Sequence, residues 1–98
     1  MSRQRVNLDG RFVVVGYDGA FHTLYASLYD DAEDTNLPPV KAVGYHPVER
    51  LASERTEHGP YPCGFAELEQ ALCDWGLSGA ERERVGAAIA QDPDMPTP

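Results

Sequence analysis

The sequence is poor in cysteine, in basic side chains and in long apolar runs, and each shortage excludes a class of protein. Cys63 and Cys73 are the only cysteines, too few for a disulfide-built scaffold, so two reduced thiols are expected. The longest apolar run, Phe12 to Val15, is of strand length, far short of the roughly 20 residues a membrane helix needs. The start of the chain, Met1-Ser2-Arg3-Gln4-Arg5, is basic, but Asn7, Asp9, Gly10 and Arg11 interrupt what would be the apolar part of a signal peptide. A cytoplasmic protein with no membrane partner is expected.

Eight basic side chains stand against sixteen acidic ones, a formal charge of −8. A field of that sign repels a nucleic-acid backbone, so no nucleic-acid partner is expected either. Seven of the eight basic residues are Arg, and Ala and Gly are abundant, a bias of high-GC bacterial coding sequences.

What is present fits one domain. The 98 residues, 42% of them hydrophobic, match a single core of ordinary size, since domains commonly run to about 100–150 residues. We expect a flexible N-terminus over residues 1–10, a folded unit over 11–91, and a disordered tail over 92–98, where three prolines prevent a helix from continuing.

Arg11 to Asp18 and Phe21 to Tyr29 are rich in β-branched and aromatic residues, and Asp18-Gly19 between them is a hairpin signal. An even-length connection places Val13, Val15, Tyr17, His22, Leu24, Ala26 and Leu28 on one face, the expected core side. Phe12, Val14, Phe21, Thr23, Tyr25, Ser27 and Tyr29 then share the other. An odd-length connection would re-pair the two faces. Val40 to His46 reads as a third strand, and Pro47 to Gly64 shows no sustained period and reads as loop.

Phe65, Leu68, Leu72 and Trp75 recur at helical spacing and Gly76 ends the run, which predicts a helix over 65–75. Ser78-Gly-Ala-Glu81 has the form of a capping box, and Val85, Ala88 and Ile89 follow as an apolar stripe, which predicts a second helix over 79–91. The expected fold class is therefore α+β: a three-stranded antiparallel meander, a β-hairpin plus a third strand, followed by two C-terminal helices packed on one face.

Val15-Gly16-Tyr17-Asp18 followed by Thr23-Leu24-Tyr25-Ala26-Ser27-Leu28-Tyr29-Asp30 resembles the start of a family of small uncharacterised proteins from high-GC, actinobacterial-type bacteria. That family pairs a Val-Gly-Tyr-Asp hairpin with a Thr-aromatic-aromatic-Ala strand and a leucine-rich C-terminal helix, here Phe65 to Leu72. The segment from Arg50 to Gly64 is longer than in the family. The resemblance implies the fold and brings no activity.

Five constellations are candidates for chemistry or ligand binding, and each has a bland counterpart. His46, His58, Cys63 and Cys73 are the right ligand types for zinc, but only His58 and Cys63 approach the spacing of a ligand pair. Bland roles are expected instead: His58 solvated in its loop, and Cys73 a small buried residue on the first helix. Cys63 beside a helix N-terminus is placed for a lowered pKa, with His58 or His46 as its base, yet no nucleophile motif surrounds it. His22 is read as a satisfied, partly buried histidine rather than an acid–base partner of Asp18. Asp30, Asp31, Glu33 and Asp34 lack the alternation and central Gly of a calcium loop and read as solvated. The two-helix end lacks the basic face a DNA reader requires.

The remaining feature is aromatic. Phe12, Phe21, Tyr25 and Tyr29, joined by Tyr45, stand on or beside a sheet face that two short helices cannot also cover, and exposed aromatic surface marks protein contacts. The leading expectation is thus a non-enzymatic interaction or regulatory module that uses no cofactor and binds a protein partner or a second copy through the sheet. The alternative is a zinc or thiol site built from His46, His58, Cys63 and Cys73. A nucleic-acid-binding accessory role is the second alternative.

Overall fold

A computed structural model describes residues 3–30, 37–46 and 55–91. In chain order the elements are β1 (Arg3–Leu8), β2 (Arg11–Asp18), β3 (Thr23–Tyr29), β4 (Lys41–Val43), β5 (Glu57–His58), α1 (Phe65–Asp74) and α2 (Gly79–Ala90). The strands form one sheet in that same order. Pairing is antiparallel from β1 to β4, and β5 lies parallel to β4. The class is α+β, a meander followed by two helices packed against it, with two more strands than the expected three.

The first addition corrects the expected flexible N-terminus. Arg3–Leu8 pair with β2 in a register that sets Val6 opposite Val13, and Val6 is only 2% exposed. The connection is Asp9-Gly10, with Gly10 at φ 70°, a left-handed conformation that glycine adopts without a Cβ clash. β1 carries few apolar residues of its own, so its strand character comes from docking. It supplies the floor for α2, which packs on β1 and β2, while α1 packs on β3.

In the β2–β3 hairpin, the Asp18 to Thr23 pair closes an even loop of Gly19, Ala20, Phe21 and His22. The expected core face therefore holds for Val13, Val15, Tyr17, Leu24, Ala26 and Leu28, all buried. His22 is the exception. It leaves the strand before pairing begins, sits exposed at φ 51°, and places Nδ1 3.4 Å from the Tyr17 hydroxyl. Asp18 Oδ1 organises the loop by accepting from the amides of Ala20 at 3.0 Å and Phe21 at 3.4 Å.

The expected third strand is cut to Lys41–Val43 because Gly44, at φ 77°, turns the chain. The Gly44 amide donates to the Pro60 carbonyl at 2.9 Å. Glu57 and His58, expected in loop, form β5: the Glu57 amide donates to Val40 at 2.9 Å and the Gly59 amide to Ala42 at 2.6 Å. The expected disordered tail, 92–98, lies outside the described residues.

Both helices begin and end for legible reasons. Ser78 Oγ accepts from the Glu81 amide at 3.2 Å, and Glu81 Oε1 accepts from the Ser78 amide at 3.3 Å, the expected capping box. At α1 the Gly64 amide donates to Glu67 Oε2 at 3.0 Å, which is half of such a box because glycine supplies no hydroxyl. Past Trp75, Gly76 at φ 98° lets its own amide reach the Cys73 carbonyl and that of Leu77 reach Leu72, both at 3.1 Å, closing α1 in a Schellman turn.

Leu68, Leu72, Trp75, Leu77, Val85 and Ile89 meet the sheet residues in one core. Cys73, expected buried, is exposed: one residue past Leu72 is about 100° further round the helix. Phe65 has the right spacing but stays 47% exposed, beside the groove between α1 and α2. Among the described residues no helix is long and apolar enough to cross a membrane.

Candidate functional site

The face of the sheet away from the helices includes three cross-strand rows that concern the aromatic residues. Register places Arg3, Gly16 and Tyr25 in one row, Arg5, Val14, Ser27 and Ala42 in the next, and Asn7, Phe12 and Tyr29 in the third. Residues two apart along a strand point to the same face, so these rows lie side by side.

Phe12 and Tyr29 stack with ring centroids 4.6 Å apart and planes 8° from parallel. The Arg5 guanidinium carbon lies 4.1 Å from the Phe12 ring centroid, a cation–π contact. Arg5 Nε also donates to Asn7 Oδ1 at 3.0 Å, which fixes its approach. Tyr25 and Tyr45 meet edge to face at 5.7 Å. The Tyr45 and Ser27 hydroxyls lie 2.6 Å apart in a hydrogen bond beneath them. Burial raises both phenol pKa values above the ordinary range; the Arg3 charge offsets part of the rise at Tyr25, and the Ser27 hydrogen bond does so at Tyr45.

The five aromatic residues expected to bind a partner are thus only partly gathered. Phe12, Tyr25, Tyr29 and Tyr45 share this face. Phe21 belongs to the β2–β3 loop, where it stacks on His46 at 4.7 Å, and Tyr61 meets the same imidazole edge-on at 5.1 Å. Phe12 is 5% exposed and is floor rather than contact surface. Phe21, Tyr25, Tyr29 and Tyr45 keep part of their rings in solvent.

Three contributors escaped the sequence reading: Arg3, Arg5 and Tyr61. The signal for the first two was available, because Asp9-Gly10 is the same dipeptide as Asp18-Gly19 and marks a hairpin that places Arg3 and Arg5 on the aromatic face. Tyr61 sits in a Pro-Gly-rich stretch without period, which gives no directional information.

β1 is also an edge. It is hydrogen-bonded to β2 alone among the described strands, and its Arg3, Arg5 and Asn7 side chains are exposed. The opposite edge, β5, is the two residues Glu57–His58.

The His and Cys residues of the alternative reading are dispersed. His46 is held in the aromatic stack, Cys73 points outward from α1, and among the described residues no group of three or more His, Cys, Asp or Glu side chains is arranged to hold a metal ion. Cys63 lies 4% exposed under the Thr23 hydroxyl, which accepts from the Cys63 amide at 2.8 Å. Its thiol is pushed up to about 11, by burial first and by the Glu67 carboxylate second. The lowering expected from the helix N-terminus is outweighed, first by that burial and then by the Glu67 carboxylate, which also takes up the Gly64 amide. Of the acidic cluster, Asp30 is paired, 3.2 Å from Arg11 and 3.2 Å from Arg55. Asp31, Glu33 and Asp34 lie outside the described residues. No known protein family matches the chain, and no curated protein or solved structure is detectably similar to it.

Proposed function

We propose that the domain is a non-enzymatic protein-interaction module that takes up an extended segment of a protein partner, or of a second copy, as an added strand along β1. The observation that carries this reading is the six-residue β1 edge, hydrogen-bonded on one side only among the described strands. An unpaired edge offers main-chain donors and acceptors that give affinity, while side chains beside it give selection. Arg3 and Arg5 make this edge locally basic on a chain of charge −8, so a segment with acidic residues complements it. The half-buried rings of Tyr25 and Tyr29 stand on the same face and supply contact area at low entropic cost.

Native mass spectrometry of the untagged protein from its own cells tests the reading, beside Arg3→Glu/Arg5→Glu and the single variants Gln4→Pro and Arg5→Pro. Adjacent strand residues point their amides to opposite sides, so one proline spares the β2 ladder and blocks the free edge. A complex or dimer that is lost in the charge-reversed protein and in the better-folded proline variant supports strand addition. A bare monomer from the native source, or a complex untouched by these changes, overturns it.

A further inference from the structure

At the end of the sheet opposite β1, the β4–β5 pair and α1 enclose a cleft of about 480 Å³, within the range of small-molecule sites, about 300–1,000 Å³. The sequence dictates its character. Glu67, Ala71 and Asp74 recur at helical spacing and so share the face of α1 that lines the cleft. Trp75 closes that side, and Val43 and Pro60 form the wall opposite. The interior is therefore apolar, with Trp75 only 9% exposed.

Charge in the cleft is one-sided. Glu57, Glu67 and Asp74 supply three carboxylates, against the single ammonium of Lys41 and the imidazole of His58. Two of the carboxylates are held in place. Glu67 Oε2 accepts from the Gly64 amide at 3.0 Å, and Asp74 Oδ1 accepts from Gln70 Nε2 at 3.0 Å. Each keeps its second oxygen for another donor, and oriented carboxylates lose little entropy on pairing with a cation.

We propose that this cleft binds a small organic cation: an ammonium or guanidinium group carried on an apolar body. The body packs against Trp75, Val43 and Ala71, and the cationic head meets Asp74 and Glu57 at the rim. An anion of the same shape is repelled by the same wall. This site is separate from the β1 edge and does not rest on strand addition.

Trp75 is the only tryptophan in the chain and lines the cleft, so its emission gives a single-site signal for binding there. We would titrate the protein with 2-phenylethylamine and, separately, with phenylacetate, which carries a similar ring and the opposite charge. The expected result is a saturable change in Trp75 emission with the amine and binding at least about tenfold weaker for phenylacetate. Glu57→Gln/Asp74→Asn, at two exposed positions, should weaken the amine by about tenfold while the melting temperature is retained. Arg3→Glu/Arg5→Glu should leave amine binding unchanged, which separates this test from that of the β1 edge. No saturable response to the amine, equal binding of phenylacetate, or a response that survives the Glu57/Asp74 change overturns the proposal.

Discussion

Phe12 and Tyr29, on neighbouring strands, lie face to face with centroids 4.6 Å apart, on the side of the sheet away from α1 and α2. Arg5 closes the stack from above. With Phe12 only 5% exposed, the half-buried Tyr29 ring and the exposed Arg5 side chain shield it from solvent. Phe12→Ala should therefore lower stability by about 3–4 kcal/mol, the range for emptying a buried aromatic site. Arg5→Ala should cost about 0.5–1 kcal/mol through the lost cation–π contact. A double-mutant cycle by urea denaturation checks both values. A Phe12→Ala cost below about 1 kcal/mol, the level of an exposed substitution, would show that the face is open.

The Tyr45 to Ser27 hydrogen bond, 2.6 Å long, satisfies a hydroxyl on a residue 1% exposed. Tyr45→Phe leaves that hydroxyl without its partner and should cost about 1–3 kcal/mol. Ser27→Ala on the same background removes the orphaned group and should recover part of the loss, whereas two independent sites would simply add. Thermal melts of the two single variants and the double variant decide between these outcomes.

The core face was legible in the sequence because alternation in Val13, Val15 and Tyr17 and helical spacing in Leu68, Leu72 and Trp75 both report directly on burial. Helix ends were legible for the same local reason, since Ser78 and Glu81 satisfy amides within one turn. β1 was not, because Arg3-Gln4-Arg5-Val6-Asn7-Leu8 has little intrinsic strand character and folds only against β2 and α2. β5 was hidden for the opposite reason: it is held by the Glu57 amide on Val40 and the Gly59 amide on Ala42, and a parallel pairing that short leaves no period to read. The Cys63 environment depends on Thr23, forty positions away in the chain, and no local motif announces it.

Gly44 and Gly76 share a left-handed backbone, at φ 77° and φ 98°, but differ in their surroundings. A Cβ on Gly76 meets nothing within 4 Å, whereas one on Gly44 would run into the Leu24 carbonyl. Gly76→Ala should therefore cost only the conformational strain, about 1–2 kcal/mol. Gly44→Ala adds a collision with backbone that cannot yield, and should cost about 4 kcal/mol or more. Comparable losses for the two variants, measured as shifts in urea midpoint, would refute the close approach of Gly44 to β3.

Cys63 makes the fold sensitive to alkali. Its native thiol keeps its proton up to about pH 11, while the same thiol ionises near its ordinary value of 9 in the unfolded chain. Between those limits the unfolded state has released a proton that the native state still holds, so stability falls as pH rises. The contribution is fully present below about pH 9 and lost by about pH 11, and a two-unit shift corresponds to roughly 2–3 kcal/mol. Tyr25 and Tyr45, both raised, act in the same direction above about pH 10. Cys63→Ala, with nothing to ionise there, should lose less stability than the native chain between about pH 8 and about pH 10.5 in urea titrations. Alkylation gives an independent reading. Exposed Cys73 should take up iodoacetamide in the folded protein and buried Cys63 only after unfolding. Equal labelling of both thiols in the native state, or an alkaline limb unchanged in Cys63→Ala, would contradict the enclosure of Cys63 beneath Thr23.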